Sequence, residues 1–115
     1  MSIVDHIAFR VYDLEKAKRW YEKNLDAKMT HRDEFYIRMS LENTTIALID
    51  ANRYPYDHIG ILVDDANDLP KVGQRVEHRD GTIGVYIRDP FGNVIEYIWY
   101  SGDAKDKING KTKTN

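Results

Sequence analysis

The chain has 115 residues, no cysteine and a formal net charge of −2. That length buries one modest core, and the charge balance gives no bulk attraction to nucleic acid. Without cysteine there are no disulfides, thiolate metal sites or cysteine nucleophiles, and no apolar run approaches the ~18 residues that span a membrane.

The N-terminal MSIVDHIAF enters a strand pattern directly, with no charged or apolar leader, so a cytoplasmic protein is expected. Residues 3–11 alternate with period two and predict a strand. Ile3, Asp5, Ile7, Phe9 and Val11 share one face; Val4, His6, Ala8 and Arg10 share the other. Asp13 can cap a helix over 14–24. Leu14, Ala17, Trp20, Tyr21 and Leu25 recur at three- and four-residue steps as its inward stripe, and Asn24 and Asp26 end it.

Strands are predicted over 28–32, 35–41 and 44–49, the last being rich in β-branched and aliphatic residues. Residues 51–55 (ANRYP) form a linker. A second strand like the first runs over 56–63. Pro70 and Gly73 shorten any helix over 66–73. Further strands follow over 74–78, 82–88 and 94–100. Arg79-Asp80-Gly81 and Asp89-Pro90-Phe91-Gly92-Asn93 are turns between them. Residues 101–115 are polar, have little to bury and are expected to form a flexible tail.

The chain repeats itself. At an offset of 52, Asp5-His6-Ile7 matches Asp57-His58-Ile59, and at an offset of 50, Tyr36-Ile37-Arg38 matches Tyr86-Ile87-Arg88. Self-similarity at this period marks a duplicated supersecondary unit. The fold expected is α+β: two βαβββ modules, about 3–50 and 56–100, with pseudo-twofold symmetry, forming a curved mixed sheet around a cavity within one domain over 1–100.

Two anomalies bear on chemistry. A histidine stands at the same place in both copies of the first strand, and Glu96 sits inside the apolar VIEYIWY. An unpaired buried carboxylate is costly, so Glu96 must face open space, pair or coordinate. Arg10, Arg38 and Arg88 are candidate partners for it. His6, His58 and Glu96 together make a two-histidine, one-carboxylate set suited to Fe, Mn, Co, Ni or Zn as a divalent ion. Such a set leaves open positions for substrate and water. The bland reading keeps both histidines as inherited packing and Glu96 as one half of an ion pair. Tyr86, ten residues before Glu96, is either a substrate-facing hydroxyl or a core tyrosine. His31 and His78 sit among charged neighbours and are expected at the surface.

The stretches DHIAFRVYDLEKAKRWYEKNL, DHIGILVDD and YIRDPFGNVIEY resemble the vicinal oxygen chelate superfamily, also called the glyoxalase/bleomycin-resistance/extradiol-dioxygenase superfamily. The resemblance covers about residues 3–100. It implies that His6, His58 and Glu96 hold one divalent metal ion per site, and that Tyr86 and Glu96 serve catalysis. It implies a small oxygen-bearing substrate handled by lyase, isomerase, dioxygenase or thiol-transfer chemistry. It also implies a homodimer, with the site built within one chain or across two. Ile46 stands where glyoxalase I has a fourth ligand, which argues against that enzyme. A metal-free small-molecule binding protein of the antibiotic-resistance type is the alternative reading.

Overall fold

The computed structural model describes residues 1–102. The polar tail expected over 101–115 lies, from residue 103 on, outside the described residues. The elements are β1 (Val4–Val11), α1 (Leu14–Leu25), β2 (Lys28–Arg32), β3 (Tyr36–Ser40), β4 (Thr45–Asp50), β5 (His58–Val63), a 3-10 turn (Ala66–Asp68), β6 (Gln74–Glu77), β7 (Thr82–Arg88) and β8 (Val94–Tyr100). Each falls within a residue or two of the sequence expectation, apart from the shortened second helix. The fold is α+β, with parallel and antiparallel strand pairs. No helix among the described residues is long and apolar enough to cross a membrane. Chain contacts divide into two compact units: residues 4–59, and the first three residues with those from Gly60 onward.

In the unit of residues 4–59 the strand order is β2-β3-β4-β1. β1 runs parallel to β4, with Ile7 opposite Ile46 and Ala8 opposite Ala47. β3 pairs antiparallel with β2 and β4. Parallel neighbours need a crossover connection, and α1 with the β2–β3 hairpin supplies it. Asp13 starts the helix by accepting from the Lys16 amide at 2.9 Å, and Asp26 ends it in the left-handed region at φ 53°. Leu14, Ala17 and Tyr21 lie on a core of Ala27, Ile37, Met39, Ile46 and Leu48.

Trp20 does not join that stripe and is 55% exposed. At 100° per residue it stands about 100° round the helix from Tyr21, so the wider stripe read from sequence narrows to three residues. The terminal Leu25 is also exposed. On β1 the face carrying His6 and Ala8 is the buried one, while Phe9 and Val4 on either face are exposed.

The second unit has the order β5-β8-β7-β6, the same topological sequence as β1-β4-β3-β2. Its helix is reduced to the 3-10 turn, which Asp65 caps by accepting from the Asn67 amide at 2.9 Å. Leu69 ends the turn in extended backbone (φ −62°, ψ 141°), the conformation that the following Pro70 demands. Val63, Leu69 and Val85 form its core, with Ile83, Ile87, Tyr97 and Trp99 packed around them.

β7 and β8 are joined by the turn over 89–93. Asp89 accepts from the amides of Phe91 and Asn93 at 2.8 and 2.9 Å, and from the Asn93 side chain at 2.9 Å. Arg88 donates to the Gly92 carbonyl at 2.7 Å. The Asn93 side chain, followed by its backbone amide, holds the Asp89 carboxyl below the usual aspartate range. A carboxyl lowered in the folded state stabilises it above the unfolded-state value and loses that contribution as pH falls through the folded value. Asp89→Ala is therefore expected to lower Tm at neutral pH, with the gap to the parent narrowing as the pH drops below about 3.8. Gly92 has φ +90° and open space around its missing Cβ. Gly92→Ala is expected to cost about 1 kcal/mol of unfolding free energy, all of it from backbone strain. Chemical denaturation checks this.

Candidate metal centre

His6 lies in the middle of β1 and is 5% exposed. Its Nδ1 donates to Asp5 Oδ2 at 2.7 Å. Arg38 on β3 stands beside the same oxygen, with Nη1 at 3.9 Å. In the neutral ring this places the proton on Nδ1 and leaves the Nε2 lone pair as the ligand face. Carboxylate anchoring of one imidazole nitrogen is the usual way a ligating histidine is oriented.

His58 opens β5, and its position follows from Arg10. The Arg10 amide donates to Asp57 Oδ1 at 2.7 Å. Its guanidinium donates to the carbonyls of Tyr54 and Ala51 at 2.7 and 3.0 Å. Residues 51–57 are thus tied to β1 just before His58. The result is that Nε2 of His6 and Nε2 of His58 stand 3.2 Å apart, with the rings nearly perpendicular at 86°. The repeated Asp-His pair has diverged in role: Asp5 holds a ring, whereas Asp57 holds backbone.

The 3.2 Å separation is a test of fit. Two imidazole nitrogens bound to one ion at 2.0–2.1 Å stand about 3.3 Å apart at a tetrahedral angle and about 2.9 Å apart at a right angle. The pair in this chain lies inside that range, so its geometry suits a divalent ion.

Glu96 lies on β8 in the second unit and is 2% exposed. It pairs across the ladder with Tyr86 on β7, so both side chains leave the same face. His78 reaches this face from just beyond β6 and donates from Nε2 to Glu96 Oε2 at 2.7 Å. The rings of His78 and Tyr86 also meet at a steep angle of 76°, with centroids 6.1 Å apart. Gly84, two residues before Tyr86 on β7, sits beneath the pair. A Cβ there would collide with Glu96 Oε2 and come within 2.9 Å of both Glu96 Cδ and His78 Nε2.

Sequence reasoning placed His78 at the surface, and the structure corrects this. Its side chain is 21% exposed and engages the buried carboxylate. A tight turn brings it inward: the His78 amide donates to the Thr82 carbonyl at 2.9 Å, and Asp80 accepts from the Thr82 amide and hydroxyl. The turn Arg79-Asp80-Gly81 is legible in the sequence, but the direction in which it aims the preceding side chain is not. His31 is half-buried on β2, where its ring meets Tyr36 at 5.6 Å.

The sequence model of the Glyoxalase/Bleomycin resistance protein/Dioxygenase superfamily matches residues 3–97. Among solved structures, the chain is similar to a hypothetical protein, BH1468, from Bacillus halodurans C-125. That match has a TM-score of 0.71 at 14% identity and covers 87% of this chain and 95% of the other. It is also similar to methylmalonyl-CoA epimerase from Mycobacterium tuberculosis, with a TM-score of 0.71 at 15% identity, covering 89% and 90%. A Streptomyces coelicolor methylmalonyl-CoA epimerase matches with a TM-score of 0.69 at 12% identity, covering 86% and 94%. These likenesses bear on the fold. With the match spanning residues 3–97 of a 115-residue chain, the chain belongs to the Glyoxalase/Bleomycin resistance protein/Dioxygenase superfamily.

Proposed function

We propose that the protein is a divalent-metal-dependent enzyme in which His6, His58 and Glu96 jointly hold one ion, as the family resemblance implies. The observation that carries this reading is the His6–His58 pair, two Nε2 atoms 3.2 Å apart with the far nitrogen of His6 held by Asp5. An ion there would act as a Lewis acid on a small substrate bearing neighbouring oxygens. His6 and His58 supply neutral nitrogen ligands, and Glu96 supplies the anionic one. Tyr86 shares a face with Glu96 and offers a hydroxyl that can donate to a substrate oxygen or move a proton there. Isomerase chemistry is the reaction class we favour, since two of the fold relatives are named as epimerases.

We further propose that the protein is a cytoplasmic homodimer. Exposed Phe9, Tyr12 and Trp20 provide apolar surface for association. The rival reading, a metal-free binding protein, has one observation in its favour: His78 already pairs with Glu96, so burial of that carboxylate needs no ion.

Elemental analysis of protein purified without chelator separates the two. One equivalent of metal per chain is expected, and Mn, Co, Ni or Zn added to stripped protein should raise Tm. At an ion concentration 100 times Kd, binding adds about 2.7 kcal/mol of stability, on the order of 10 °C or more for a chain of this size. Glu96→Gln is expected to weaken ion binding at least tenfold, whereas Tyr86→Phe should leave it within a few-fold. Absent metal and an unmoved Tm with every ion would give the rival reading the case.

A further inference from the structure

The contact between His78 and Glu96 carries an inference that rests on, and deepens, the metal reading. We infer that His78 is a positioning residue for the carboxylate ligand: its Nε2 proton fixes the orientation of Glu96, while the imidazole itself stays off the ion.

A carboxylate offers two oxygens and about four acceptor sites. On a flexible side chain it can meet a cation through one oxygen or both. The hydrogen bond from His78 occupies one site on Oε2 at 2.7 Å and draws that oxygen toward the imidazole. Gly84 reinforces that placement, because the carboxylate and the imidazole nitrogen meet in the space that a Cβ would fill. A residue larger than glycine would push the carboxylate off the His78 nitrogen. The imidazole is itself held. The His78 backbone amide is tied to the Thr82 carbonyl at 2.9 Å, and the ring packs at a steep angle against Tyr86. Gly84 and His78, the latter braced by Tyr86, thus favour one pose of Glu96.

Groups that orient metal ligands typically change affinity 10- to 100-fold when removed. The measurements are titrations of stripped protein with Zn and Co, and the visible absorption of the Co-loaded form, which reports ligand number and geometry. His78→Leu is expected to weaken Zn binding 10- to 100-fold and to alter the Co spectrum. His78→Gln presents an amide N–H near the position of the imidazole Nε2, and should restore affinity to within about threefold together with the parent spectrum. Gly84→Ala leaves His78 in place yet should weaken binding in the same direction as His78→Leu. It also supplies the readout if the leucine variant does not fold.

Parent-like affinity in both His78→Leu and Gly84→Ala, with only the metal-free Tm lowered, would show that the contact merely stabilises the fold and would overturn the inference. Loss in His78→Leu as complete as in Glu96→Gln, unrescued by glutamine, would make His78 a ligand and overturn it equally. A parent protein that binds no ion sinks the metal reading, and this inference falls with it. The two failures are therefore distinguishable.

Discussion

Burying a charged oxygen is among the most expensive acts in a protein interior. Glu96 does so in the centre of a strand that is otherwise aliphatic and aromatic. A carboxylate in that position without a partner costs several kcal/mol, enough to consume much of a small domain's stability. The second unit is arranged around meeting this demand. β7 has a glycine where the carboxylate needs room, and the turn after β6 delivers an imidazole N–H to Oε2.

The first unit deals with a parallel requirement by different means. His6 is almost as deeply buried, and Asp5 takes its Nδ1 proton while Arg38 lies beside that aspartate. Arg10 ties the linker to β1 through two carbonyls and through Asp57. These bonds set where β5 begins, and so where the second imidazole stands. The two Nε2 atoms end 3.2 Å apart, a spacing that a hydrogen bond between the rings or a shared ion can both accommodate. Polar groups with little freedom and defined partners are how a binding site is preorganised.

Duplication supplied two equivalent starting points, and the copies have since diverged. One aspartate of the repeated Asp-His pair orients a ring, whereas the other anchors backbone. One helix runs for twelve residues, and its counterpart is a three-residue turn stopped by Pro70. Shared strand order survives these changes because it depends on the alternation of apolar residues along each strand.

Local pattern was enough to determine the strands, the first helix with its Asp13 cap, the repeat and the family. These follow from period, turn chemistry and matched motifs, all of which act over short stretches of chain. The same pattern picked out His6, His58 and Glu96 as the residues out of keeping with their strands. It did not determine which residue holds which. The pairing of Glu96 with His78 joins positions eighteen apart through a turn geometry, and the pairing of His6 with His58 joins positions 52 apart through the grip of Arg10. Trp20 departs from the expected stripe for a related reason, since spacing alone does not say how wide a stripe the opposing sheet can cover. Side-chain partnership depends on where strands lie in space, and only the tertiary structure decides that.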